Sequence, residues 1–244
     1  SDAGRRGRAN TELRAARDRP QRGLRIDADS DALALYRADI GAERLLTPQD
    51  EGDICRAIVA AERAVLDALV RSSVGRAELA AIGRELEIGQ ADVRAIILNP
   101  DEQGLDLTAL GEHVGRTLRS IETCREDEWS AVVDALADVR LAHTVIERVI
   151  TAVRDGSDTA ACDAVELARR ELRRAKARLV VGNLRLVLLF ARRYQNQGIP
   201  LLDLVQEGNV GLMRAADKFD FRRGFRCNTY ASYWIKQALQ RALV

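Results

Sequence analysis

An all-α fold follows from three features of this 244-residue chain. Ala, Leu, Val, Arg and Glu dominate while aromatic residues make up only 4%, a balance that favours helix over sheet. Apolar residues recur at three- and four-residue spacing, and nothing reads as a strand. The prolines, at 20, 48, 100 and 200, fall at punctuation points rather than inside periodic stretches. The length suits one large helical domain, or one domain with a helical insertion, and is enough to bury a core without disulfides.

Residues 1–29 are polar, rich in Arg and Asp and without period, so disorder is expected there. Ser30 then caps a short helix with Leu33, Tyr36 and Ile40 on one face, ended by Gly41. Thr47-Pro48-Gln49-Asp50 reads as an N-cap followed by Pro at the first helical position. The helix it opens carries Ile54, Ile58, Ala61, Val65 and Leu69 on one stripe. From about 75 to 156 four helices are expected, marked by Leu79/Ile82/Leu86, by Val93/Ile96/Ile97 before Pro100, by Leu107 to Ile121, and by Trp129 to Val153 before Gly156. This stretch holds no chemical motif and is expected to be a helical spacer that contributes little to any selectivity. A long helix is expected over Ala160–Tyr194, closed by Gln195-Asn196-Gln197-Gly198. Pro200 restarts the chain, and Leu201–Lys218 reads as one or two helices with Gly208 and Gly211 inside. A turn with Gly224 follows, and Asn228 is expected to cap a last helix, Thr229–Val244. That helix stops in mid-pattern, as in a piece of a longer protein.

Several classes are disfavoured. Cysteines 55, 124, 162 and 227 lack the spacing of a metal clip, so reduced thiols of a cytoplasmic protein are expected, with no metal and no cofactor. The two histidines, His113 and His143, sit in the motif-free stretch, and no nucleophile–base pair or phosphate-binding Gly loop is evident; an enzyme is not expected. The Arg-rich start lacks the pattern of a signal peptide, and no apolar run has the length of a membrane span.

Net charge is +1, yet the signs are segregated. From Glu171 onward 14 Lys and Arg face 5 Asp and Glu, whereas residues 1–170 hold 24 against 32. A polyanion partner is therefore expected for the C-terminal third. Six of the ten aromatics lie between Phe219 and Trp234, interleaved with Arg222, Arg223, Arg226 and Lys236. Such a cluster is more often core than ligand site. The spacing shifts that balance: Ala231, Ile235, Ala238 and Ala242 already supply an apolar face, and Tyr230, Tyr233, Gln237 and Arg241 form another. Aromatic faces stack unpaired bases, amides read base edges and guanidinium groups hold phosphates.

These residues belong to a longer pattern. Asn183-Leu184-Arg185-Leu186-Val187, Gly198 to Met213, Lys218-Phe219-Asp220, Gly224-Phe225-Arg226, Thr229-Tyr230-Ala231 and Trp234-Ile235-Lys236-Gln237-Ala238 together resemble region 2 of the sigma-seventy class of bacterial sigma factors, over about 175–244. A weaker resemblance to region 1.2 covers about 31–69 through Asp31, Tyr36, Gly41, Leu45-Leu46-Thr47 and Glu51. The implied organisation is a disordered segment over 1–29, region 1.2-like helices over 30–74, a helical insertion over 75–165 in the place of the family's variable insertion, and region 2 over 166–244.

The resemblance implies a role for each block. Asp203 to Met213, with Asp203, Gln206, Glu207, Asn209 and Met213, is similar to the surface that grips the coiled coil of the RNA polymerase β′ subunit. Phe219, Asp220, Arg223 and Tyr230 would form a pocket for an adenine extruded from the minus-ten element, with Tyr233 and Trp234 as the wedge behind it. Arg222, Arg226, Thr229, Lys236, Gln237, Gln240 and Arg241 fall on the same DNA-facing surface. Asn183 matches a position near the downstream unpaired base of that element, and Tyr36 and Arg37 lie where region 1.2 approaches the discriminator strand. The implied partners are polymerase core, promoter DNA, especially the single non-template strand, and an anti-sigma factor; no membrane is implied.

Cys227 stands where the housekeeping pattern has an aromatic, Tyr233 where it has Trp, and Gln240 where it has Thr. These departures lead us to expect an alternative rather than a housekeeping factor. Two rivals stay open from sequence: a regulator that grips polymerase core but reads no promoter, and a helix-turn-helix repressor of duplex DNA.

Overall fold

The computed structural model describes residues 34–36, 38, 40, 41, 44, 46–99, 106–220, 224 and 226–243. Among these residues every regular element is helical, as expected; the one exception in backbone pairing is an isolated antiparallel bridge between Ile97 and Leu141. The expected disorder of 1–29, the Ser30 cap and Leu33 lie outside the described residues. Helical backbone at 34–36, 38, 40 and 41 carries a buried Ile40 and a half-buried Tyr36.

Helix α1 spans Pro48–Arg71 and starts as its sequence dictates. The Asp50 N–H donates to Thr47 Oγ1 at 3.1 Å and the Thr47 N–H donates to the Asp50 carboxylate at 2.9 Å, a reciprocal capping box. The Thr47 hydroxyl, then its backbone N–H, hold the Asp50 carboxyl below the ordinary range. All five stripe residues of α1 are buried.

Helices α2 (Ser73–Glu87), α3 (Val93–Ile96), α4 (Leu107–Ser120), α5 (Trp129–Val139) and α6 (His143–Asp155) form a compact group on the C-terminal half of α1. The helix expected over Trp129–Val153 is two helices. Arg140 between them takes a left-handed conformation, φ 55°. The Leu98 N–H donates to the Arg140 carbonyl at 2.8 Å and the Ala142 N–H to the Ile96 carbonyl at 2.7 Å. The backbone thus exchanges helical bonds for pairing with a distant segment, and no Pro or Gly announces the break.

Helix α7 covers Thr159–Val181, α8 covers Leu184–Ala191, and a 3₁₀ turn covers Arg192–Tyr194. The single helix expected over Ala160–Tyr194 is therefore interrupted at Gly182 and Asn183. A Cβ on Gly182 would lie 2.5 Å from Leu46 Cδ1, so any larger residue there would have to displace the Leu46 side chain. Asn183 ends α7 by donating from Nδ2 to the Leu179 carbonyl at 2.7 Å. Helix α9 is continuous over Leu201–Lys218. Helix α10 runs over Cys227–Ala242 with Arg226 at the N-cap, so Asn228 lies inside the helix and not at its cap.

Helices α1 and α7 pack antiparallel as two shared beams. At one end Val65, Leu69, Val165 and Ala168 join the core of α2–α6. At the other, Ile54, Cys55, Ala175 and Leu179 meet Ala216 and Cys227. A third cluster holds α8, α9 and α10 together through Val187, Leu204, Leu212, Ile235 and Leu239. Each fully buried aliphatic side chain contributes about 1.5–3 kcal/mol. At Gly211 a Cβ would sit 2.7 Å from the Trp234 carbonyl oxygen, so this glycine sets the close crossing of α9 and α10.

Candidate nucleic-acid interface

The crossing of α9 on α10 divides both helices into an inner and an outer face. On α10, Ala231, Ile235, Ala238 and Leu239 are buried. The opposite side exposes Thr229, Tyr233, Lys236, Gln237, Gln240 and Arg241. Tyr233 is 62% exposed, which burial energetics alone do not favour for so large a ring. Tyr230 and Trp234 are half-buried at the edge of the core.

The aromatics form a chain. Phe219 and Tyr230 have centroids 5.7 Å apart, Tyr230 and Trp234 6.2 Å, and Tyr233 and Trp234 meet in a T-shaped contact at 5.9 Å and 86°. Lys218 Nζ sits 5.0 Å from the Trp234 ring and Lys236 Nζ 5.1 Å from the Phe190 ring, cation–π distances that bring positive charge to the aromatic surface. The Trp234 indole N–H is buried without a hydrogen-bond partner. Asp220 lies beside this chain, its carboxylate 3.3 Å from Arg140 Nη1. Arg37, Arg222 and Arg223 fall outside the described residues.

Sequence reasoning assigned no site role to Glu51, which the structure puts at the start of α10. Its side chain is buried; Oε1 accepts from the Cys227 N–H at 2.5 Å and Oε2 accepts from Arg226 Nη2 at 3.0 Å. A carboxylate at this point satisfies an orphan amide and complements the helix dipole. No local signal could have revealed it, because 176 residues separate the partners. Arg226 is thus tied to Glu51 while remaining half exposed. Burial, then the Glu51 charge, push the Cys227 thiol up to about 12; the same causes push the Cys55 thiol up to about 11.

Glu51 also lines a cavity of about 220 Å3 with Leu46, Asn183, Arg185, Leu186 and Asn228. Asn183 is 6% exposed, at the wall of this cavity. Arg185 Nη2 donates to the Gly41 carbonyl at 3.3 Å, which ties the segment ahead of α1 to α8.

The outer face of α9 exposes Asp203, Gln206, Glu207 and Met213, while Leu204, Val205, Gly208, Gly211 and Leu212 face inward. Asn209 is half-buried and its Oδ1 accepts from the Tyr36 hydroxyl at 3.1 Å. Two residues expected on separate surfaces, Tyr36 toward DNA and Asn209 toward polymerase, are thereby paired. Burial raises the Tyr36 pKa, against the opposing effect of the Asn209 bond. No helix among the described residues is long and apolar enough to cross a membrane, and no cluster of metal-ligating side chains is present among them.

The family model for sigma-70 region 2 matches residues 179–244, the segment that contains α8, α9 and α10. Among curated proteins, the chain is similar to the RNA polymerase principal sigma factor HrdD of Streptomyces viridifaciens, at 45% identity over 120 residues. It is similarly related to HrdD of Streptomyces coelicolor, at 44% over 117 residues, and of Streptomyces griseus, at 45% over 118 residues. The first two alignments each cover 46% of this chain and 35% of the relative, so the chain spans about a third of the length of the proteins it matches. Residues 179–244 thus match sigma-70 region 2, and the chain is similar over nearly half its length to principal sigma factors of Streptomyces.

Proposed function

We propose that the chain acts in transcription initiation: it grips RNA polymerase core through the outer face of α9 and captures unpaired bases of the minus-ten element on α10. The observation that carries this reading is the second face of α10. A core helix needs one apolar face, and Ala231, Ile235, Ala238 and Leu239 supply it. Tyr233, Gln237, Gln240 and Arg241 stand outside it in reach of a ligand, beside the ring chain of Phe219, Tyr230 and Trp234.

In this reading an adenine of the non-template strand leaves the duplex and stacks among Phe219, Tyr230 and Asp220, with Arg223 completing the pocket. Tyr233 and Trp234 take its place against the upstream pair. The downstream unpaired base enters the 220 Å3 cavity beside Asn183, Glu51 and Arg185, whose amide, carboxylate and guanidinium offer donors and acceptors to a base edge. Unstacking a base costs a few kcal/mol, and each base–aromatic stack returns about 1–3 kcal/mol. Two captured bases with phosphate contacts from Arg222, Lys236 and Arg241 therefore offset the opening without ATP. The chain is a binding factor rather than an enzyme, with polymerase core, the β′ coiled coil in particular, promoter DNA and an anti-sigma factor as partners, in the cytoplasm. Cys227, Tyr233 and Gln240 support an alternative type, although the relatives carry "principal" in their names.

The second reading, a core-binding regulator that reads no promoter, leaves the exposed Tyr233 and Gln237 without a purpose. A fluorescence titration with a panel of non-template minus-ten oligonucleotides tests between them. Tight binding that depends on sequence is expected; equal binding of a scrambled strand would remove promoter reading and leave the regulator.

A further inference from the structure

The stretch from α2 to α6 is expected from its sequence to contribute little to base selection, yet it touches the loop that opens the aromatic chain. Arg140, 13% exposed in its side chain, donates from Nη2 to the Phe219 carbonyl at 3.2 Å and places Nη1 3.3 Å from the Asp220 carboxylate. Asn99 Nδ2 lies 3.5 Å from the Lys218 carbonyl, and His143 Nε2 lies 3.9 Å from the Asp217 carboxylate. Four consecutive residues, 217–220, are therefore met from the insertion.

The residues that reach them are held in an unusual way. Asn99 and Arg140 are two of the three non-glycine residues with positive φ among those described, at 53° and 55°. Arg140 opens one side of the short extended pairing of 96–98 with 140–142, and Asn99 follows the other. Asn adopts left-handed backbone readily, whereas at Arg140 that conformation costs energy which surrounding contacts must offset, and such positions cluster at functional sites. Behind the loop lies a cavity of about 120 Å3 lined by Ile58, Leu136, Arg140, His143, Phe219 and Asp220. Phe219 packs on one apolar cluster while also lining this cavity, and Arg140, which lines it too, holds the Phe219 carbonyl.

We infer that Arg140 is a positioning residue for base capture: it fixes the Phe219 carbonyl and the Asp220 carboxylate so that the pocket against Tyr230 exists before DNA arrives. A pocket held in place spares the strand the entropy of ordering it. The inference rests on the base-capture reading of Phe219, Asp220 and Tyr230. It assigns the insertion a part in base selection, in place of the passive role expected from its sequence.

The test uses the whole chain with Arg140→Ala and Arg140→Lys, and Arg148→Ala as control. Arg148 pairs with Glu78 and Glu85 inside the insertion. Affinity for a non-template minus-ten strand and for a scrambled strand is measured by fluorescence anisotropy, and amide exchange is followed over 217–231. Arg140→Ala is expected to speed exchange over 217–220 and to weaken the minus-ten strand about tenfold, the value of one charge-assisted bond, with the scrambled strand unchanged. Arg140→Lys, which keeps the charge but loses the two-point fork, should retain part of the preference; Arg148→Ala should retain all of it. A folded Arg140→Ala chain with parental preference overturns the inference. If that variant does not fold, Arg140→Lys decides: an intermediate preference supports the inference and a parental one overturns it. A parental chain without preference removes the capture reading instead; unchanged exchange over 217–220 in the variant then overturns the positioning role separately.

Discussion

Replacing Glu51 perturbs the start of α10 from a residue outside the segment that matches region 2. Its carboxylate accepts the Cys227 amide at 2.5 Å and pairs with Arg226 at 3.0 Å, within a buried setting. Loss of a cap costs about 0.5–2 kcal/mol, and loss of a negative charge at a helix N-terminus about 0.3–1 kcal/mol. The Arg226 pair adds about 0–1 kcal/mol, because the guanidinium is half exposed and screened. Glu51→Ala should therefore destabilise the chain by about 2–3 kcal/mol. Glu51→Gln, whose amide oxygen still accepts from Cys227, should cost about 1 kcal/mol. In urea, with a slope of about 2 kcal/mol/M, the midpoint should fall by about 1–1.5 M for Ala and about 0.5 M for Gln. Because Glu51 also walls the 220 Å3 cavity, both variants should weaken the minus-ten strand. An Ala midpoint within 0.2 M of the parent, a shift of about 0.4 kcal/mol at that slope, would refute the capping role.

Other outcomes follow from the same geometry. Tyr230→Ala should cost about 1–3 kcal/mol of single-strand affinity, and log K should fall linearly with log salt concentration for the parent; a salt-independent affinity would contradict the phosphate contacts. The double change Gln206→Ala with Glu207→Ala, on the exposed face of α9, should weaken binding to polymerase core without lowering the unfolding midpoint; unaltered core binding removes that surface. Burial raises the Cys55 and Cys227 thiols to about 11 and 12, so both should resist alkylation in the native chain at pH 8. Their folded pKa values lie above the unfolded ones, so their contribution to stability is complete below about pH 8.5 and is lost as pH rises toward 12; a midpoint that stays flat across that window counts against it. Gln240→Thr, tested in a longer protein able to transcribe, should change the preferred base pair at the upstream edge of the minus-ten element; identical preference would leave Gln240 without a reading role.

Local chemistry was legible wherever a few neighbouring residues decide the outcome. The Thr47/Asp50 capping box starts α1 where the sequence placed it, and the period of α10 separated Ile235 and Ala238 from Tyr233 and Gln237. What escaped is set by contacts across the chain. Arg140 breaks a helix with no Pro or Gly because Ile96 and Leu98 pair with its neighbourhood. The break after Val181 is closed by the Asn183 side chain on the Leu179 carbonyl, and the start of α10 answers to Glu51 rather than to Asn228. The same cause pairs Tyr36 with Asn209, two residues that belong to different surfaces when read along the sequence.

The capture of an adenine between Phe219 and Tyr230 is tested most directly by 2-aminopurine placed at that adenine in a minus-ten non-template strand. Stacking on a tyrosine ring should alter its fluorescence when the chain is added, and Tyr230→Ala should abolish the change while leaving the same reporter at a neighbouring, uncaptured position unaffected. A signal identical at both positions, or one that persists in Tyr230→Ala, would contradict base capture at this site.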